Sequence, residues 1–293
     1  MSKISDMIRT KFGATDTERD KGLVTPDDVV RFDNIPYGSL PEQQLDVYRP
    51  NDTDGVLPLI ISVHGGGWVY GDKERYQFYC MSLAQRGFVV INYSYRLAPE
   101  HKFPAALEDT ALVFAWAKAQ AETYGFDMNH LFAVGDSAGA NLLELYCALC
   151  TNEAYRHSLG LPVTEYITPK AVALNCGVHF ITVSENPNDQ FTTELMKDYL
   201  KSGGSEEELR LVNVSDVIVE GFPPAYIMTA ENDFLKFQVP QFCEHLLQKN
   251  IPFIVKYYKD KEEQLGHVFH LDIRSAAAKK CNDEECAFFK SML

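Results

Sequence analysis

Ser137 stands in the run Gly135-Asp136-Ser137-Ala138-Gly139, which fits G-x-S-x-G. The apolar stretch LFAVG (131–135) precedes it, and the helical pattern AGANLLELYCALC (138–150) follows it. A serine held between a strand and a helix is forced into a sharp, exposed turn. The flanking glycines let strand and helix approach without Cβ clashes, and the helix N-terminus beneath favours developing negative charge. This is the setting of a nucleophile. The bare pattern also occurs in ordinary Gly/Ser turns, so the reading depends on finding a base, an acid and a place for negative charge.

The histidines after Ser137 are His157, His179, His245, His267 and His270. His157 precedes any plausible acid, and His245 lies inside a helical run. His267 follows a glycine in a loop beyond the strand FIVKYY (253–258), where a sheet presents groups at its carboxyl edge. His270 is the rival, and it reads as a structural histidine opening the next helix. The acid must orient the imidazole and stabilise its charged form. The strand AYIMT (225–229) runs into AENDFLK, which offers Glu231 and Asp233, and the residues alone leave the choice open.

A second signal is VHGGGW (63–68), three glycines directly after an apolar strand. Acyl transfer builds negative charge on an oxygen, and preorganised backbone N–H donors stabilise it. Glycines let the backbone come close and turn its amides inward, so Gly66 and Gly67, with the N–H of Ala138, form a candidate oxyanion hole. A phosphate-cradling loop would need G-K-[ST] or G-x-G-x-x-G spacing, which is not found here.

The elements that must hold these residues alternate. LIISV (59–63), FVVINY (88–93), LFAVG, AVALN (171–175), AYIMT and FIVKYY are apolar strands, separated by amphipathic patterns at 72–87, 104–125 and 138–150 and, later, by VPQFCEHLLQKN and a C-terminal helical run. Such alternation implies a mostly parallel sheet covered on both faces. VVRFDNIPYG and EQQLDVYRP alternate like a hairpin before it. Ligands in such sheets bind at the carboxyl ends of the strands. The stretch from about 180 to 219 breaks the rhythm with two helical segments, the second opening on a Ser205/Glu208 capping box. With the N-terminal segment 1–30 it is expected to form a small helical cap on a single domain spanning 1–293.

The chain of 293 residues is 46% hydrophobic and 23% charged with a net charge of −14, an ordinary globular composition with no basic run. Nucleic acid is excluded as a partner on charge. No apolar run is long enough to span a bilayer, and the N-terminus has no signal-like apolar core. Seven scattered cysteines, an odd number, read as reduced thiols in a cytoplasmic protein. Cys147 and Cys150 form a C-x-x-C inside a helical pattern and read as packing residues, with no metal expected.

Taken together, HGGGW (64–68), YRLAPEHKFPAALED (95–109), GDSAGA (135–140) and TAENDFL (229–235), with a histidine about thirty residues later, resemble the hormone-sensitive-lipase-like esterases of the α/β-hydrolase fold. The resemblance runs from residue 64 to about 270. It implies an α/β fold with a mostly parallel sheet and a small helical cap. It also implies a serine carboxylesterase with Ser137 as nucleophile, His267 as base and Asp233 as acid, and oxyanion donors at Gly66, Gly67 and Ala138. It places Tyr95, Arg96, Pro99, Glu100 and Asp109 in a structural role behind the glycine loop, with His64 anchoring that loop. Trp68 and Tyr70 are candidate substrate contacts. No cofactor and no metal is implied. The expected substrate is a small-molecule short-chain acyl ester, acetyl esters of carbohydrates among the candidates, and a second copy of the chain is a candidate partner.

Three positions depart from the family pattern: Ala140 and Val268 stand where glycine is usual, and Phe234-Leu235-Lys236 where Pro-Leu-Arg is common. The Val268 departure keeps His270 in view. An amidase shares the same tetrahedral chemistry and is the nearest alternative; a ligand receptor on the same fold is a more distant one, because all three candidate triad residues are present.

Overall fold

The computed structural model describes residues 1–53, 55–184, 186 and 190–293. Residues 185 and 187–189, which belong to the expected 180–219 insertion, lie outside the described residues.

Eight strands form one sheet in the order β1-β2-β4-β3-β5-β6-β7-β8. They are β1 (Val29–Pro36), β2 (Gln44–Pro50), β3 (Leu57–Val63), β4 (Val89–Tyr93), β5 (Phe126–Asp136), β6 (Ala171–Asn175), β7 (Ala225–Ala230) and β8 (Phe253–Tyr258). The hairpin β1–β2 and the β2–β4 pair are antiparallel, and every later pairing is parallel. The described helices are α1 (Lys3–Asp20), α2 (Lys73–Ala84), α3 (Ala105–Ala119), α4 (Ala121–Tyr124), α5 (Ala138–Thr151), α6 (Glu153–Leu159), α7 (Phe191–Tyr199), α8 (Glu206–Val212), α9 (Val214–Val217), α10 (Val239–Gln248) and α11 (Ala276–Lys290).

Strand alternation sorts the core into two layers. Leu59, Ile61 and Val63 of β3, with Leu131 and Ala133 of β5, face the layer of α3, α5 and α10. Ile60 of β3, with Phe132 and Val134 of β5, faces the layer of α2 and α11. Both faces of the central strands are buried, which is why they read as continuous apolar runs rather than alternating ones.

The structure corrects several boundaries. The pattern at 104–125 is two helices, because the chain leaves helical geometry at Gln120 before α4 ends on left-handed Gly125. β5 starts five residues earlier than LFAVG, since Phe126 already pairs with Leu57. Segment 1–30 is helical only to Asp20, and its last residues already belong to β1. The capping box is half formed: Ser205 Oγ accepts from the Glu208 N–H, but the Glu208 carboxylate accepts from the N–H groups of Ser202 and Gly204 instead of Ser205.

Ser5 and Arg9 are among the residues that attach α1 at the carboxyl edge of the sheet. Ser5 Oγ donates to Asp198 of α7 at 2.5 Å. Arg9 donates to the carbonyls of Val69 at 2.7 Å and Ala98 at 2.9 Å and pairs with Glu100.

On the opposite face, α11 buries Glu285 completely. Tyr79 Oη donates to one carboxyl oxygen at 2.9 Å and Asn175 Nδ2 to the other at 2.6 Å. Burial pushes this carboxyl up to about 7, against the pull of those hydrogen bonds and Arg86. Between its ordinary value of 4.5 and about 7 the folded protein keeps a proton that the unfolded chain has lost, so stability falls as pH rises through that window. Thermal unfolding followed from about pH 5 to about pH 7.5 is therefore expected to show a shallower decline in Tm for Glu285→Gln than for the wild type. Parallel curves would contradict the account.

Candidate active site

The elbow after β5 is set by two close approaches. A Cβ on Gly139 would lie 2.1 Å from the Val63 carbonyl oxygen, and one on Gly135 would lie 2.5 Å from the Gly139 carbonyl oxygen. Only glycine lets α5 come that near the ends of β3 and β5. The turn leaves Ser137 at φ 50°, ψ −119°, an uncommon conformation for a residue with a side chain. Its N–H donates to the Asn175 carbonyl at 3.0 Å and its carbonyl accepts from Val178 N–H at 3.1 Å, which hold the strained turn against β6.

The loops after β7 and β8 meet beside it. They are joined where Asn232 N–H donates to the Leu265 carbonyl at 3.0 Å. His267 Nε2 lies 2.9 Å from Ser137 Oγ, and His267 Nδ1 lies 2.7 Å from Asp233 Oδ1. Thr229 Oγ1 donates to Asp233 Oδ2 at 2.7 Å and the Leu235 N–H to Oδ1 at 3.0 Å. Burial would raise the Asp233 carboxyl, but hydrogen bonding and charge from His267, with the Thr229 and Leu235 donors, outweigh it and hold the group below the usual carboxylate range. An ionised carboxylate only accepts hydrogen bonds, so Nδ1 carries the proton and Nε2 is free to accept the serine's.

Glu231 turns away, with its carboxylate 3.7 Å from Lys259 Nζ at the surface. His270 is fully buried edge-on against Tyr79, and burial pushes its imidazole down to about 3. His179 is buried against Glu144 at 2.6 Å. The structure thus brings Ser137, His267 and Asp233 together and leaves the rival groups elsewhere.

Val268 adopts φ 53°, ψ 33°, the left-handed conformation for which glycine is usual at this position. The Val268 N–H donates to Cys176 Sγ at 3.4 Å. One ligand atom each from Cys176, Asp233 and His267 lie within 4.8 Å of one another, a grouping able to hold a soft metal. Asp233 and His267 are already engaged with each other there.

The glycine loop divides its amides. Gly65 N–H donates to Tyr76 Oη at 2.9 Å, and that hydroxyl donates on to Asp136 at 2.8 Å. Burial raises the Asp136 carboxyl to about 7, opposed by the Tyr76 hydrogen bond and Arg19. Among the described residues, the N–H groups of Gly66, Gly67 and Ala138 donate to no protein acceptor. Gly66 sits at φ 113° and Gly67 at φ 61°. His64 stacks on Tyr95 at 3.9 Å, and Tyr95 Oη donates to the His64 carbonyl at 2.9 Å. Behind the loop Arg96 grips Asp109 at 2.8 Å, and Gln43 Nε2 donates to the same carboxylate at 2.7 Å.

Two cavities open on Ser137 and His267. One of about 220 Å³ runs between Ile8, Gly67, Trp68, Val178, Phe180, Ile181, Phe191, Leu195 and Met196. The other, about 250 Å³, is lined by Thr15, Asp16, Gly65, Gly66, Tyr70, Tyr76, Asp136, Val268 and Leu271. Phe12 and Phe234 line both. Trp68 is 2% exposed and stacked on Tyr199 at 4.4 Å, so it backs the cavity more than it faces a ligand. Tyr70 reaches the second cavity, its hydroxyl donating to Asp16 at 2.8 Å.

Sequence reasoning missed Phe234, which is 63% exposed and lies with its ring 4.3 Å from the His267 imidazole. The signal was its place beside Asp233. Thr229, Tyr76 and Asp16 carried no such signal, because each acts on a residue through a contact that spacing does not reveal.

A model of the alpha/beta hydrolase fold family matches residues 60–271, and the chain belongs to that family. The chain is 28% identical over 251 residues to the carboxylic ester hydrolase LipN of Mycobacterium tuberculosis, covering 83% of this chain and 65% of LipN. It is 28% identical to the ethyl acetate hydrolase of Pseudomonas putida, covering 70% of this chain and 65% of that one. The versiconal hemiacetal acetate esterase of Dothistroma septosporum is 29% identical, covering 65% of this chain and 61% of that one. The chain thus spans a little under two-thirds of these relatives' lengths. Among solved structures, esterase B of Lactobacillus rhamnosis, inhibited by a tributyrin phosphonate, superposes with a TM-score of 0.86 at 26% identity, covering 96% of this chain and 92% of that one. The motif resemblance to hormone-sensitive-lipase-like esterases therefore agrees with the relatives that the whole chain finds.

The glycine loop supplies a graded test. A Cβ on Gly66 would meet the Tyr70 carbonyl oxygen at 2.1 Å, whereas one on Gly67 would meet nothing closer than Leu195 at 3.5 Å. Gly67→Ala is expected to cost about 1 kcal/mol, the left-handed penalty alone. Gly66→Ala adds a backbone clash and is expected to cost more than about 3 kcal/mol. Urea unfolding of both variants checks the order, and equal losses would contradict it.

Proposed function

We propose that the protein is a serine carboxylesterase that hydrolyses short-chain acyl esters. The observation that carries this reading is the continuous hydrogen-bonded line from Ser137 through His267 to Asp233 at 2.9 and 2.7 Å. The named esterases among its relatives support it.

In the proposed reaction His267 Nε2 takes the Ser137 proton as Oγ attacks the ester carbonyl. Asp233 holds the Nδ1–H tautomer and stabilises the imidazolium. The unengaged amides of Gly66, Gly67 and Ala138 receive the oxyanion. His267 then returns the proton to the departing alcohol. Water, deprotonated in turn by His267, releases the acid from Ser137. Helix α1 and residues from about 180 to 219 act as the cap over the two cavities, and Trp68 and Tyr70 belong to their walls. The chemistry uses only the chain's own residues.

Cytoplasmic residence is part of the proposal. It rests on seven unpaired cysteines, five of them buried. No described helix is long and apolar enough to cross a membrane. Self-association as a homodimer is also proposed, on the open edge of β8, where Ile254, Val255 and Tyr257 are exposed. A monomer by sedimentation at about micromolar concentration would remove it.

The decisive measurement is hydrolysis of p-nitrophenyl esters from acetate to octanoate beside the matching anilides. Ser137→Ala is expected to lose turnover on all of them. Asp233→Asn is expected to lower kcat about 10⁴-fold, because the amide favours the wrong imidazole tautomer. Turnover of anilides above esters would favour an amidase. Equal inactivity of wild type and Ser137→Ala on every compound would sink the enzyme reading.

A further inference from the structure

The two cavities that meet at Ser137 differ in what their far walls offer. One is walled by Val178, Ile181, Leu195 and Met196, and among the described residues its lining holds no ionisable side chain except His267. The other ends against α1, at Asp16 and Tyr70. The side chain of Asp16 is 18% exposed, and one of its oxygens accepts from Arg19 Nη1 at 2.9 Å. The other oxygen accepts from Tyr70 Oη at 2.8 Å. Each carboxylate oxygen can accept a further hydrogen bond, and the Tyr70 oxygen keeps its own lone pairs.

The charge of this wall narrows the ligand. Asp16 and Asp136 both line the cavity. Arg19 pairs with Asp16 and is shared with Asp20 at 2.7 Å, and Arg75 also lies near Asp16 and Tyr70. The free valences on this wall are acceptor oxygens, which offer nothing to an anion. Because Asp16 is already neutralised by Arg19, it gives little to a free cation either. What remains is a group that donates hydrogen bonds without carrying charge, and on the alcohol part of an ester that group is a hydroxyl.

We propose that Asp16 and Tyr70 form an alcohol-side recognition site, so that the preferred substrates join a short apolar acyl chain to a neutral polyhydroxyl alcohol such as glycerol. This rests on the esterase reading above and adds the alcohol's chemistry to it. The acyl chain occupies the cavity of Val178 and Leu195, and the hydroxyls beyond the ester oxygen reach Asp16. Helix α1 is then a specificity element. It brings Ile8 to the acyl side and Asp16 to the alcohol side, and Phe12 stands between them. Its attachment through Arg9 to the carbonyls of Val69 and Ala98 fixes it relative to the glycine loop.

The test compares kcat/KM on glycerol monobutyrate with that on ethyl butyrate, for wild type, Asp16→Asn and Tyr70→Phe. The wild type is expected to prefer the glycerol ester. Loss of a hydrogen bond to a charged acceptor is expected to lower the glycerol-to-ethyl ratio about tenfold in Asp16→Asn, and to a smaller extent in Tyr70→Phe. Tyr70→Phe keeps the ring in place and carries the test if Asp16→Asn, which weakens the tie to Arg19, does not fold. The butyryl ester of glycolate, an anion, is expected to be poorer than ethyl butyrate for the wild type. A ratio that stays within about twofold of wild type in the folded variants overturns the proposal while leaving the esterase reading intact. Absence of turnover on every ester by the wild type overturns both.

Discussion

The close approach of α5 to the carboxyl end of β3 is the constraint on which the rest of the site depends. Gly139 lies against the Val63 and His64 carbonyls, leaving no room for a side chain. That contact brings the serine elbow and the glycine loop, more than sixty residues apart in the chain, to one place. Once they are there, the elbow's strain is held by backbone hydrogen bonds from Ser137 to Asn175 at the end of β6 and to Val178 in the loop beyond it. Gly66 and Gly67 of the loop line the same cavities as the serine. A parallel sheet delivers such a meeting because its strand ends share one edge.

Burial sets the electrostatics at that edge. Asp136, Asp233 and Glu285 are all buried carboxyl groups, yet they go different ways. Asp233 receives an imidazole and two further donors and is held ionised. Asp136 and Glu285 receive neutral donors and are pushed up to about 7. Desolvation raises each of them, and at Asp233 the hydrogen bonds and charge of its partners outweigh it. This difference allows the same residue type to orient the imidazole at one position and to brace the glycine loop through Tyr76 at another.

Helix α1 joins this arrangement from outside the sheet. It is amphipathic, with Ile8 buried and Phe12 left 41% exposed at the mouth. Polar ties hold it at intervals: Ser5 to Asp198, Arg9 to the Val69 and Ala98 carbonyls, Asp16 to Tyr70 and Arg19 to the Arg75 carbonyl. Helical propensity alone would leave a helix of this length marginal, so tertiary contacts fix both its presence and its position.

Much of this protein was legible in the sequence, and the reason is local. The strand runs at 59–63, 88–93 and 171–175 are apolar because both faces of a central strand are buried, and a Cβ would clash at Gly65, Gly66, Gly135 and Gly139 while Gly67 needs a left-handed backbone. Ser137 could be named for that reason, and His267 because it follows a strand into a loop. Choosing Asp233 over Glu231 needed the resemblance, and the fold then showed Glu231 turned toward Lys259. The break at Gln120 carries no Gly or Pro signal, and the early start of β5 escaped notice because Asp127, Asn129 and His130 interrupt its apolar pattern. Asp16 beside Tyr70 and Thr229 beneath Asp233 were decided by tertiary structure alone. Each depends on where two surfaces meet, and neither period nor spacing carries that information.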